Sequence, residues 1–252
     1  MEILALFFLG LVQGLTEFLP VSSSGHLVLF SKLFGIEESL FVSIILHVAT
    51  LCSIFVVYRK EIWQMIRHPF SFETLSIAVA TIPTCILCLI LMPVIKMSFS
   101  GGLLPLCFFI SAILLLTSER VSKKKGQKTF SFKDAFLIGV AQGFAVFPGV
   151  SRSGTTISAG LLCGNKKEDV TKFSFLMSLP IILISLLMEI FEIVMGGQVL
   201  KVSIVGILLS FVTAFLTGLF AIKLMIKLTQ KSSLKYFAAY LFLISIVTLF
   251  IL

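Results

Sequence analysis

Charge is scarce in this chain: only 13% of its 252 residues are Asp, Glu, Lys or Arg, while 58% are hydrophobic, and the mean hydropathy is +1.13. A soluble domain of that length cannot bury so much apolar surface, which excludes a water-soluble enzyme or binding module. Long polar stretches are missing as well, so no soluble domain fits between the apolar segments. Ten-residue segments alternating apolar and polar side chains are also lacking, as the run IILISLLMEIFEIVM illustrates, and this excludes a membrane β-barrel. Met1 to Ile3 carries none of the basic residues that open a signal peptide, so the first segment is expected to be retained. Cysteine chemistry has little to work with. Of Cys52, Cys85, Cys88, Cys107 and Cys163, only Cys85 and Cys88 form a CxxC, and with no second ligand pair they read as packing residues.

What is present is a series of apolar runs long enough to cross a bilayer as helices. Eight can be drawn, at about 3–30, 40–58, 76–97, 103–117, 135–163, 173–195, 202–226 and 234–252. The formal charge of +8 does not point to nucleic acid, because the basic residues are gathered in short loops. Arg59, Lys60 and Arg67 lie in 59–75, and Arg120, Lys123, Lys124, Lys125, Lys128 and Lys133 in 118–134. Lys166, Lys167 and Lys172 lie in 164–172, and Lys223, Lys227, Lys231 and Lys235 in 223–235. Positive residues mark the cytoplasmic loops of membrane proteins. If all eight segments cross, and Lys32, Lys96 and Lys201 are included, the two sides hold ten and nine positive charges. If the fifth segment enters and leaves by one face, the split becomes sixteen to three, with Arg152 inside. The rule selects the re-entrant fifth segment.

Internal similarity extends this conclusion to the first segment. LGLVQGLTEFLPVSSSGH aligns without gaps on IGVAQGFAVFPGVSRSGT at a constant offset of 129. Gly10, Gln13, Gly14, Phe18, Val21, Ser22, Ser24 and Gly25 match Gly139, Gln142, Gly143, Phe147, Val150, Ser151, Ser153 and Gly154. Each half then contains one re-entrant hairpin and three crossing helices, and an odd number of crossings turns the second half upside down. The expected fold is an all-α polytopic membrane protein. Two inverted-topology repeats, about 1–117 and 135–252, would be joined by a cytoplasmic linker at 118–134. Six transmembrane helices would surround two re-entrant helical hairpins meeting near the bilayer midplane, with both termini extracytoplasmic. Non-helical backbone at that depth must line protein or a watery cavity.

The hairpin tips carry the unusual chemistry. Pro20 and Pro148-Gly149 break the incoming half-helices. Ser22, Ser23 and Ser24, and then Ser151 and Ser153, follow at once, where serine is favoured as a helix N-cap. Beginning there, with Gly25 in the first turn, the outgoing half-helices would aim free N–H groups at the tips, which suits phosphate; capping alone also explains serine at these positions. Glu17 would sit deep in the membrane, where a carboxylate costs about 2.5–3.5 kcal/mol and is functional or paired by default. Gln13 lies one turn earlier on the same face, and the two could supply oxygens to a hard divalent cation. The other reading of Glu17 is an ion pair with Arg152, whose planar guanidinium also suits phosphate oxygens. His26, near a helix N-terminus, could serve as base or nucleophile. His47 and His68 lack comparable neighbours and read as structural, and Glu189 and Glu192 read as interfacial.

QGLTEFLPVSSSGH (13–26) and PGVSRSGTTIS (148–158) resemble the two signature regions of the bacterial undecaprenyl-diphosphate phosphatase family, also called bacitracin-resistance proteins. FSFLMSLP (173–180) looks like a further family stretch, and the likeness in length and hydropathy covers the whole chain. The family's first motif reads Glu or Gln, three residues, then Glu, so Gln13 is an allowed variant that weakens a metal site needing two carboxylates. The resemblance implies removal of the terminal phosphate of a C55 polyprenyl diphosphate, recycling the lipid carrier for cell-wall synthesis. It further implies Mg2+ or Ca2+ assistance, a homodimer in the bacterial plasma membrane, and a site reached from the extracytoplasmic side. By the same resemblance, Glu17 with Gln13 would hold the metal and Arg152 would bind phosphate. Ser22, Ser23, Ser151 and Thr156 would contact phosphate oxygens, and the nucleophile would be Ser23, His26 or a metal-bound water.

Two rivals share parts of the pattern. Ser23 to His26 resembles the PSGH element of an unrelated lipid-phosphatase class, but that class needs a His where this chain has Ser158. A polyprenyl-phosphate transporter could be built on the same inverted repeats.

Overall fold

A computed structural model describes residues 2–34, 40–123, 128–196, 203–231 and 233–251. Lys124, Lys125 and Lys201 of the charge count lie outside the described residues. Among the described residues there are eleven helices and no β-strand, only an isolated bridge between Lys128 and Asn165. The first apolar segment is two helices, α1 (Glu2–Phe18) and α2 (Ser23–Phe34), broken around Pro20. The fifth is likewise two, α7 (Phe132–Phe144) and α8 (Arg152–Leu162), broken around Pro148 and Gly149. The others are α3 (Leu40–Val57), α5 (Phe72–Ser98), α6 (Leu104–Ser122), α9 (Lys167–Gly196), α10 (Ile204–Lys231) and α11 (Lys235–Ile251).

Four helices, α5, α6, α9 and α10, are long and apolar enough to cross a membrane, and α3 with the short helix after it makes a fifth candidate. Their outer faces bear this out. On α5, Ile82, Ile86, Leu89, Ile90 and Val94 are all exposed at helical spacing, an arrangement stable only against lipid. The chain is a multi-pass helical membrane protein.

The basic loop at 59–75 contains an element that its charges conceal. Residues Arg59–Arg67 form α4, turned 82° from α3. Within it Ile62, Trp63, Met65 and Ile66 alternate with Arg59, Lys60, Glu61 and Gln64 at helical spacing. Arg67 stacks over the Trp63 ring at 5.0 Å. Exposed Trp63 and Ile66 beside these charges suit a helix lying in a membrane interface.

Packing crosses between the two halves of the chain. α1 lies along α10, where Gly10 meets the backbone of Ser210 and Gly14 meets Ala214 and Gly218. α7 lies along α5, where Gly139 meets the backbone of Ala80. Gly10 and Gly139 are aligned positions of the repeat, and any side chain at either would collide with the facing backbone. α6 pairs with α11, and α3 packs on α9 and α10. Phe18 and Phe175 meet edge to face at 5.8 Å in the core, both almost fully buried. At the start of α7, Ser131 caps the helix in a reciprocal box with Asp134, whose carboxylate also holds Lys128 at 2.7 Å.

Candidate active site

The two helix breaks face one another. Ser22 takes the left-handed conformation (φ 70°) and Gly149 does the same (φ 91°), so each tip turns sharply before its outgoing helix. A Cβ on Gly25 would come within 2.7 Å of the Gly149 Cα, so the tips touch through backbone. Ser153 Oγ donates to the Leu19 carbonyl at 2.9 Å, a second link from tip to tip. The expected serine caps form. Ser22 Oγ accepts from the Gly25 amide at 3.3 Å, and Ser151 Oγ accepts from the Gly154 amide at 3.1 Å. Ser111 braces the second tip, with its Oγ 3.0 Å from the Ser151 amide and 3.2 Å from the Gly149 carbonyl.

Glu17, in the last turn of α1, is the centre of the polar cluster. Its Oε1 accepts from Arg152 Nη2 at 2.5 Å, while its Oε2 accepts from Ser23 Oγ at 2.5 Å and from Gln13 Nε2 at 3.2 Å. Two buried polar atoms beside it have no partner among the described residues: Gln13 Oε1 and Arg152 Nη1. Unsatisfied groups of this kind ask for a ligand or water. One is an acceptor and the other a cationic donor, so together they suit a cation and an anion respectively.

A cavity of about 140 Å³ opens beside this cluster. Glu17, Ser22, Ser23, Ser24, Ser151, Arg152 and Ser153 line it, so seven of the residues singled out from sequence share one space. Four others stand outside it. Gln13 is fully buried behind Glu17, to which its Nε2 donates, and does not line the cavity. Gly25 is the tip-to-tip contact. Thr156 is fully buried behind α8, with its Oγ1 2.6 Å from Ser174 Oγ and 3.0 Å from the Arg152 carbonyl. The ring of His26 turns away from the cavity toward α11. Its Nδ1 lies 2.7 Å from the Ser22 carbonyl and its Nε2 2.6 Å from the Tyr240 hydroxyl, and the ring stacks on Tyr240 within 8° of parallel. A carbonyl can only accept, so Nδ1 holds the hydrogen and Nε2 of the neutral ring accepts from Tyr240.

The cavity also recruits residues that the sequence did not single out for the site: His47 from α3, Thr84 from α5, Gln142 from α7 and Ser185 from α9. Gln142 is the repeat equivalent of Gln13, and that identity was the available signal. Its Nε2 lies 3.2 Å from Thr84 Oγ1, which in turn lies 2.8 Å from the Gly139 carbonyl. His47 Nδ1 lies 4.0 Å from Glu189 Oε1, so this carboxylate stands behind the imidazole that lines the cavity.

For a divalent cation the test is the donor set. Among the described residues no group of three His, Cys, Asp or Glu side chains converges. Mg2+, however, is commonly held by one or two protein groups, with substrate phosphates and water completing its shell. The unpartnered Gln13 Oε1 next to the Glu17 carboxylate fits that two-oxygen anchor and does not fit a closed cage.

The model of a known family, bacitracin resistance protein BacA, matches residues 6–247. The chain belongs to the BacA family. Similar proteins named undecaprenyl-diphosphatase include one from Parabacteroides distasonis, 41% identical over 96% of this chain and 95% of the relative. Another, from Bacteroides fragilis, is 40% identical over 99% and 98%. A third, from Carboxydothermus hydrogenoformans, is 38% identical over 96% and 94%. The BacA match spans both helix breaks and every residue that lines the cavity.

Proposed function

We propose that this chain is an undecaprenyl-diphosphatase, which hydrolyses undecaprenyl diphosphate to undecaprenyl phosphate and inorganic phosphate and so recycles the lipid carrier of cell-wall synthesis. It works in the bacterial plasma membrane, and bacitracin resistance follows from the same activity. The observation that carries this reading is the buried meeting of Glu17, Ser23 and Arg152 beside an open cavity. Family membership and the names of the relatives support the substrate.

The architecture we infer is two inverted repeats, with α1–α2 and α7–α8 as hairpins dipping in from opposite faces. The reciprocal packing of α1 on α10 and α7 on α5 supports it, since an approximate two-fold relation between repeats exchanges these pairs. The tips then meet at depth and the cavity is reached from the extracytoplasmic side, where the headgroup enters while the prenyl tail stays in lipid.

Phosphoryl transfer asks for positioning and charge neutralisation more than for covalent machinery. Arg152 supplies a fixed positive charge, and its unpartnered Nη1 is the donor left over for a phosphate oxygen. The Gly25 and Gly154 amides are taken by the caps, so the first-turn amides of Ser23, Ser24, Arg152 and Ser153 remain to cradle the diphosphate. Ser23 donates its hydroxyl hydrogen to Glu17, the geometry of an activated nucleophile and its base, which makes Ser23 one candidate for the attacking oxygen. Gln13 and Glu17 would hold a divalent cation, which when bound would neutralise phosphate charge. The test is release of phosphate from a prenyl diphosphate by the purified protein in detergent. A transporter built on the same scaffold would release none.

A further inference from the structure

A second acid–base pair reaches the cavity from α3 and α9, and this inference rests on the hydrolase reading above. His47, in the middle of α3, lines the cavity. Its Nδ1 lies 3.0 Å from the carbonyl of Ser43, one turn earlier on the same helix, so Nδ1 carries the hydrogen and Nε2 of the neutral ring carries the lone pair. Nδ1 also lies 4.0 Å from Glu189 Oε1 on α9, and Ser43 Oγ donates to that same oxygen at 3.4 Å. The other oxygen, Glu189 Oε2, is buried without a partner among the described residues. An imidazole turned toward a cavity, with its far nitrogen held by a carbonyl and a carboxylate behind it, is the arrangement of a general base and its orienting acid.

Hydrolysis needs such a group whatever the first nucleophile. Water must lose a proton either in direct attack on the terminal phosphorus or in clearing a phosphorylated Ser23. The other candidates for that proton are occupied. Glu17 is committed to Arg152 and Ser23, and both nitrogens of His26 are used by Ser22 and Tyr240. We propose that His47 is the base for the hydrolytic water and that Glu189 positions it and steadies the imidazolium that forms. In this step the water oxygen bonds to phosphorus. The bond from phosphorus to the departing oxygen breaks, that oxygen being the bridging one in direct attack or Ser23 Oγ in the two-step route. Its electron pair leaves with it, and the water proton moves to Nε2.

The charged groups around His47 are few. α9 presents Glu189 and the more exposed Glu192, α1 presents Glu17 and α8 presents Arg152. α10 carries its first charge at Lys223, beyond the level where Ser53 of α3 meets Phe215. α2 carries His26, which faces away, and Lys32, whose ammonium lies against Gly101.

The test compares His47→Gln and Glu189→Gln with the parent chain in steady-state release of phosphate from farnesyl diphosphate across pH, with thermal melts to verify folding. His47→Gln is expected to lower kcat by about 10²–10⁴-fold with KM within roughly threefold, and to flatten the acid limb of the kcat profile. Glu189→Gln keeps the base but loses the charge behind it, so the acid limb moves to lower pH, a change a packing role would not produce. Parent-like kcat and an unchanged profile in His47→Gln would overturn the inference while leaving the hydrolase standing. A parent protein that releases no phosphate would remove both.

Discussion

Arg152 and Glu17 are 135 residues apart in the chain, yet Arg152 Nη2 lies 2.5 Å from Glu17 Oε1, deep in a helical membrane protein. Removing one partner strands a buried charge, which costs about 3–5 kcal/mol, whereas removing both avoids that penalty. Glu17→Gln and Arg152→Ala are each expected to abolish phosphate release, and Arg152→Ala to lower the melting temperature markedly. The double variant Glu17→Gln with Arg152→Gln should melt near the parent and remain inactive. Melting curves and phosphate release measured on the same preparations check this, and a double variant as unstable as the Arg152→Ala single would contradict it.

The contact between Gly25 and Gly149 leaves no room for a methyl group. A Cβ on Gly149 would stand 2.7 Å from the Cys107 Cβ and would also force an L side chain into the left-handed region. Gly149→Ala should therefore cost about 1–3 kcal/mol. Gly25→Ala drives the tips apart, and activity should fall even where the protein still folds. Turnover per folded molecule is the quantity to measure.

The hydroxyl of Tyr240 holds the His26 ring against α11. Tyr240→Phe removes one hydrogen bond, worth about 1 kcal/mol, and should leave phosphate release within roughly threefold. A hundredfold loss on removing that hydroxyl would return His26 to the chemistry and argue that its ring swings into the cavity during turnover.

Gln13 is the weak member of the proposed cation anchor. Gln13→Glu sets a second carboxylate against Glu17, a repulsion that a divalent cation relieves. The Mg2+ concentration giving half-maximal rate should fall about tenfold, and a chelator should stop turnover in both proteins. Chelator-resistant release would remove the cation from the reaction.

Much of the site could be read from residue order because the polar residues stood out against apolar surroundings. Glu17, Arg152 and the serine runs interrupt segments that lipid would otherwise cover, and the 129-residue repeat pointed to two tips of one design. Pro20 and the Pro148-Gly149 pair marked where the helices break. His47 carried no such mark. A lone imidazole in an apolar helix looks like packing until the fold sets α3 against α9 and brings Glu189 behind it. The facing of His26 was hidden for another reason: the turn at Ser22 fixes the rotational phase of α2, and a backbone angle of that kind leaves no trace in composition. Helix α4 was masked by its own charges, which are spaced closely enough to pass for a loop.

The glycine contacts set an order on biosynthesis. Gly10 is seated on Ser210 and Gly139 on Ala80, so neither broken helix finds its resting place within its own half of the polypeptide. As the ribosome delivers the protein, α1 and α2 are made long before α10 exists to receive them, and they must wait in the bilayer with Glu17 lacking its guanidinium. The cavity is therefore completed only by the second half of the chain, as α7 and α8 reach α5 and α10 later closes over α1.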